Sequence, residues 1–189
     1  MEFEKDILNC LEVLQKGGII LYPTDTIWGI GCDATNAKAV ERIYGLKKRP
    51  GEKTMIVLVA DEKDIFKYVD HPDPGILDHL RKTSKPTTVV YEKAKGLAKN
   101  LMAEDGSIAI RICKDDFCKE LIRRFGKPIV STSANISEQP SPKNFSVISD
   151  EIKNGVDYIV RYRQDDPSDA ASSSIVKWNQ DGTITILRE

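Results

Sequence analysis

The sequence predicts an α/β fold built on a mixed sheet. Three observations lead there. Short apolar runs at 19–22, 55–59, 87–91, 107–112 and 129–130 read as strands. Between them, apolar residues recur every three or four positions, the period of a helix with one buried face. The two signals alternate along 189 residues of 40% hydrophobic and 30% charged composition, enough for one domain over 1–189 with a sizeable core.

The elements follow in order. Phe3, Ile7, Leu8, Leu11 and Leu14 share helical spacing, and Gly17-Gly18 stops that helix. Ile19-Ile20-Leu21-Tyr22 is a strand interrupted by Pro23. Thr24-Asp25-Thr26 then leads into Ile27-Trp28-Gly29-Ile30-Gly31-Cys32. Asn36 is the N-cap of a helix marked by Ala39, Val40, Ile43, Tyr44 and Leu46 and running to Lys47. Strand 55–59 precedes two helices near 61–69 and 73–82. Strands at 87–91 and 107–112 precede a helix with Phe117, Leu121, Ile122 and Phe125 on its face, ending at Gly126. After Pro140-Ser141-Pro142 comes a short helix, then strands near 157–161, 173–178 and 183–187. The close spacing of the last ones predicts antiparallel pairing.

Charge and composition exclude several functions. A net charge of −1 provides no global field for nucleic acid, so such contact needs a local patch. No apolar run approaches the roughly 20 residues of a membrane helix. The charged start, Met1-Glu2-Phe3-Glu4-Lys5-Asp6, lacks a secretory apolar region. Cys10, Cys32, Cys113 and Cys118 show no CxxC pattern and read as buried thiols of a cytoplasmic protein. There is no GxxxxGK[ST]. His71 and His79, both in polar helical context, are too few for a histidine-built metal site or triad. Gly29-Ile30-Gly31-Cys32-Asp33-Ala34 matches GxGxx[GA], but Pro23 breaks the strand such a motif needs. The glycines read better as places where backbone passes close to a ligand or strand.

Two stretches carry the chemistry. In Ile129-Val130-Ser131-Thr132-Ser133-Ala134-Asn135-Ile136-Ser137 an apolar strand opens into hydroxyls and one carboxamide, all uncharged donors to an anion. A polar turn capping the next helix is the other reading. Lys47, Lys48, Arg49 and Lys53 gather four cations within seven residues at a helix end before Pro50-Gly51. Helix C-terminal preference accounts for one or two of them, and a phosphate chain would use all. A third clue is Arg111. Alternation puts Ser107, Ala109 and Arg111 on one strand face, where the arginine calls for a phosphate or a structural carboxylate.

Taken together, Tyr22-Pro23-Thr24-Asp25-Thr26-Ile27-Trp28-Gly29-Ile30-Gly31, Lys47-Lys48-Arg49-Pro50, Ser107 to Arg111, and Ser131-Thr132-Ser133-Ala134-Asn135 resemble the YrdC-like threonylcarbamoyl-adenylate synthases. The family's K-x-R falls on Lys47 and Arg49, its S-x-N on Ser133 and Asn135. The resemblance implies a twisted mixed sheet with helices on both faces and a positive concave face. It implies an enzyme joining L-threonine, bicarbonate and ATP into threonylcarbamoyl-AMP, with Mg²⁺ carried on the nucleotide. Partner proteins then pass the group to tRNA adenosine. By the same resemblance Lys47, Arg49, Ser107, Ser133, Asn135, Ser141 and Arg188 would serve ATP, with Lys47, Arg49, Ser133 and Asn135 catalytic. Thr24, Lys53, Arg111, Ser131 and Ser173 would hold threonine. The family's P-G-P-x-T is here Ser84-Lys85-Pro86-Thr87-Thr88, so Lys85 is expected to alter the pocket wall, and the terminal R-P-G is reduced to Arg188-Glu189. Two other readings stand beside this one. The first is a double-stranded RNA or tRNA module using Lys47, Lys48, Arg49 and Lys53, against a pI of about 6.2. The second is a related enzyme with another acyl-phosphate substrate.

Overall fold

A computed structural model describes residues 2–49, 54–179 and 181–189. The expected elements form, with boundaries set by local chemistry. Helix α1 (Glu4–Gln15) buries Ile7, Cys10 and Leu14 and places Glu4 and Asp6 in its first turn, where carboxylates favour the helix dipole. It ends before Gly17, whose φ of +75° few side-chain-bearing residues adopt. Leu8, placed on the buried face by spacing, is 56% exposed.

Strand β1 (Ile20–Tyr22) turns back through Pro23 into β2 (Gly29–Gly31). The two pair antiparallel, Tyr22 opposite Gly29 and Ile20 opposite Gly31. The glycines are there for close approach. A Cβ on Gly31 would lie 2.5 Å from the Val130 carbonyl and 2.6 Å from the Tyr22 ring. Helix α2 (Ala37–Lys47) is capped by Asn36, whose side-chain oxygen accepts from the Lys38 and Ala39 amides. It closes on Lys48 in the left-handed region. Strand β3 (Ile56–Val59) leads to α3 (Glu62–Tyr68) and α4 (Pro74–Lys82), the latter with Asp73 as cap and Pro74 in its first turn. His71 sits in the turn between these helices at φ 50°, not in a helix as expected.

Strands β4 (Thr87–Tyr91) and β5 (Ile108–Ile112) precede α5 (Asp116–Phe125), capped by Asp115 and ended by Gly126 at φ +74°. Then come β6 (Ile129–Ser133), α6 (Asp150–Asn154), β7 (Tyr158–Ile159), β8 (Ser174–Trp178) and β9 (Ile184–Arg188).

The nine strands form one sheet in the order β7-β1-β2-β6-β3-β5-β4-β8-β9, with β1–β7, β3–β5 and β4–β8 parallel and the rest antiparallel. It is a mixed sheet in an α/β fold with six α-helices among the described residues. Helix α1 packs on α5 and against β1 and β7, and both α3 and α5 pack on β3. The four cysteines are all buried and unpaired. Strand β7 is one edge of the sheet and β8 lies one strand in from the other, so residues 160–173 cross most of its width. Among the described residues no helix is long and apolar enough to cross a membrane.

Candidate active site

Register lines up one polar row. Residues facing each other across a ladder share a face. Gly29 pairs with Ser133, Ser131 with Ile56, Leu58 with Arg111, Arg111 with Thr88, Thr88 with Ile175, and Ile175 with Arg188. Apart from Leu58 and Thr88, this row lines a cleft of about 630 Å³, mouth included, whose polar wall includes Thr26, Arg49, Thr54, Arg111, Ser131, Thr132, Ser133, Ser141, Ser172, Ser173 and Arg188. Trp28 closes one side, its ring 4.9 Å from that of Phe145.

Arg111 is 3% exposed. Its Nη2 donates to Asp25 Oδ1 at 3.0 Å and Thr26 Oγ1 at 3.2 Å, while its Nε is buried without a partner. Asp25 is fixed in turn by the Lys114 amide, which donates to Oδ2 at 3.1 Å. The carboxylate partner of Arg111 is thus structural, and one donor of the fork is left over. Thr24 is off the cleft wall but shapes this corner: its Oγ1 donates to the Ile27 carbonyl at 2.8 Å and accepts the Thr26 amide at 3.0 Å.

On the far side Ser173, 1% exposed, exchanges a hydrogen bond with Thr88 Oγ1 at 2.8 Å. Its carbonyl accepts from Arg188 Nε and Nη2 at 3.2 and 3.0 Å. Burial, and then the charge of Arg111, lower the pKa of Arg188. Two arginines that repel each other across one cleft create a strong preference for an anion between them.

The basic run 47–53 is not one patch. Lys47 points inward: it is 1% exposed and off the cleft wall, and its Nζ donates to the Ser133 and Asn135 carbonyls, each at 2.5 Å. Burial, reinforced by the charge of Arg49, brings its pKa down to about 7. Lys48 points outward to Glu151 at 2.7 Å. Arg49 enters the cleft, with Nη2 donating to the Thr54 carbonyl at 2.8 Å. Lys53 lies outside the described residues. The expectation that one phosphate chain would use all four cations therefore fails for Lys47 and Lys48. Among the described members of the run there is no continuous basic face for an RNA backbone either.

Other expected residues scatter. Ser131, Ser133, Ser141 and Ser173 reach the cleft. Asn135 does not: its Nδ2 donates to the Ile136 and Gln139 carbonyls at 3.0 and 2.7 Å, shaping the turn. Ser107 sits in the turn before β5, its amide on Asp105 Oδ1 at 2.9 Å, off the cleft wall. Lys85 is exposed and does not alter that wall. Thr26, Thr54 and Thr88 were not foreseen. Thr26, inside the Tyr22–Gly31 motif, and Thr88, the threonine of the P-G-P-x-T match, carried a signal, and Thr54 did not.

The fold and the cleft together define an α/β protein with an arginine- and hydroxyl-lined cleft on the face of a mixed sheet. The chain belongs to the Sua5/yciO/yrdC family, described as "Telomere recombination", whose model matches residues 12–189. It is 34% identical over 163 residues to the threonylcarbamoyl-AMP synthase of Pseudoalteromonas translucida, covering 85% of this chain and 87% of that protein. Among solved structures, P. abyssi Sua5 complexed with L-threonine superposes with a TM-score of 0.84 at 22% identity, over 98% of this chain and 54% of that one. This chain thus spans about half of that Sua5 chain. E. coli YciO superposes with a TM-score of 0.80 at 21% identity, over 98% and 89%.

Proposed function

We propose that this protein is a threonylcarbamoyl-AMP synthase, an enzyme that makes threonylcarbamoyl-AMP and pyrophosphate from L-threonine, bicarbonate and ATP. The observation that carries the reading is the cleft itself. It sets a buried arginine with an unpartnered Nε against a wall of hydroxyls and two further arginines. Threonine is a small carboxylate and ATP a larger polyanion, and the arginines and hydroxyls of the cleft offer partners to both.

In this reading Arg111, held by Asp25 and Thr26, takes the threonine carboxylate with Ser131 and Ser173 beside it, and Thr24 orients Thr26. Lys53 is assigned to threonine as well. Arg49, Ser133, Ser141 and Arg188 take the phosphates. Threonine's amine and bicarbonate condense to a carbamate, the new C–N bond replacing a C–O bond as water leaves. The carbamate oxygen forms the new bond to the α-phosphorus while the bond to the β-phosphate bridging oxygen breaks, and pyrophosphate leaves. Such a displacement needs alignment and charge neutralisation rather than an enzyme nucleophile. A site without histidine suffices for that. Among the described residues no group of three acid, histidine or cysteine side chains is placed to hold a metal, and Asp25 is committed to Arg111. Mg²⁺ is assigned to enter on the nucleotide's own phosphates, since it keeps most of its waters in such sites. We place the protein in the cytoplasm, on its four buried, unpaired thiols. Partner proteins would carry the product to tRNA.

The test is threonine-dependent pyrophosphate release from ATP and bicarbonate, with mass spectrometry of the adenylate. A threonylcarbamoyl-AMP peak, lost in Arg111→Ala and Ser133→Ala, is expected. ATP binding without threonine-dependent release would mean another acyl acceptor. RNA affinity without ATP binding would overturn the enzymatic reading.

A further inference from the structure

We infer that Lys47 is a positioning residue: from beneath the cleft its amino group fixes which way the peptides of the Ser133–Asn135 turn face, and it does not touch the nucleotide. The inference deepens the proposed synthase reading, since that turn belongs to the same cleft.

Its grounds are geometric. Lys47 ends α2 and is 1% exposed, whereas Arg49, two residues on, lines the cleft. Its Nζ donates to two main-chain carbonyls, Ser133 and Asn135, and its own carbonyl accepts the Ser137 amide at 2.8 Å. One residue therefore grips alternate positions 133, 135 and 137. A lysine that binds phosphate is a hydrated point charge on a mobile stem. Here the stem is enclosed, and two of the three donors of an ammonium are already in use. Moving Nζ into the cleft would leave two inward-facing carbonyls unpaired, a cost that buried acceptors do not readily bear.

The grip also has a direction. In a trans peptide the carbonyl and the following N–H point to opposite sides. Holding the 133 and 135 carbonyls inward turns the Ala134 and Ile136 amides the other way. The Ala134 amide does so, donating to the Trp28 carbonyl at 3.1 Å. The Ser133 carbonyl also accepts the Asn135 amide at 2.9 Å, which tightens the turn. Ser133 is thereby presented on the wall beside Ser131 and Arg49. Asn135 Oδ1 and Ser137 Oγ of the same turn are buried without partners.

The wild-type protein supplies the first test. Brief treatment with an acetylating N-hydroxysuccinimide ester, followed by peptide mapping, should modify Lys48, whose side chain is 66% exposed, and leave Lys47 untouched with or without ATP. Lys47 reacting as fast as Lys48 in the free protein would overturn the inference, as would reactivity that ATP suppresses. The second test is Lys47→Met without any ligand. Amide exchange should rise at least about tenfold over residues 131–139 and stay unchanged in α1 and β8. Unchanged exchange in that turn, with ATP binding weakened, would mean a direct phosphate contact. Kinetically, kcat should fall about tenfold or more while the KM for threonine, set by Arg111 on another strand, stays within about twofold. Should Lys47→Met fail to fold, the wild-type labelling decides alone. Labelling and exchange need no product to form, so a wild type that releases no pyrophosphate counts against the synthase reading and not against this one.

Discussion

Asp25→Ala removes the carboxylate bonded to the buried Arg111. The Arg111 and Asp25 side chains are 3% and 9% exposed, and their contact is 3.0 Å. Arg111 would keep Thr26 Oγ1, a neutral acceptor, and the Lys114 amide would lose its partner. Removing one member of a buried ion pair costs about 3–5 kcal/mol, because the remaining charge is uncompensated. For a chain of this size each kcal/mol is worth roughly 2–4 °C, so the melting temperature should fall by roughly 6–20 °C. The assay is a thermal melt followed by circular dichroism, with Asp25→Leu/Arg111→Met as control. That double variant removes both charges and should melt above Asp25→Ala. The threonine KM of Asp25→Ala should rise about tenfold or more, since the guanidinium loses its orientation. A melt within about 2 °C of wild type would refute the reasoning. So would a double variant no more stable than the single one.

Gly31→Ala should destabilise by at least about 1–3 kcal/mol in a urea titration, because the added carbon meets a carbonyl and a ring. Gly45→Ala, inside α2 with nothing within 4 Å of the new carbon, should stabilise by about 0.5–1 kcal/mol in the same assay. Arg49→Ala should lower kcat/KM for ATP by about 10²–10³, read by pyrophosphate release, as for loss of a preorganised donor. The Lys47 amine, lowered by burial to about 7, sets a pH trend. Between that value and the ordinary one for lysine the unfolded chain binds a proton that the folded chain lacks, so this group adds stability as pH rises. Urea midpoints from pH 6 to 9 should show a rise in the wild type that is flattened in Lys47→Met.

Most of the fold was legible because its signals are local. Asn36, Asp73 and Asp115 act as caps, and Gly17 and Gly126 end helices at positive φ. Strand order is not local, and nothing in a two-residue strand such as β7 announces a parallel partner near residue 20. The site divides along the same line. Ser131, Ser133 and Arg111 were readable from a strand opening into hydroxyls and from alternation. Asp25 and Thr26 stand 86 and 85 residues from Arg111, so their pairing with it was not. Lys47 and Lys48 look equivalent in sequence, yet the helix end sends one inward and the other to solvent. Arg188 shows a subtler limit. Strict alternation would group it with Ile186, but the ladder slips between Ile175 and Val176, and Arg188 comes to face Ile175 on the cleft side.

The crossing made by residues 160–173 bears on how the protein is born. It bridges seven strand steps, a width of roughly 34 Å at the usual spacing, before β8 can dock parallel to β4. Ser173, Ile175 and Arg188 therefore join the cleft only after strands β1 to β7 have been made. Parallel docking over such separations is slow, since loop entropy is lost before contacts form. Until that strand arrives, β4 presents an open edge, the interval in which a nascent chain is most exposed to wrong partners.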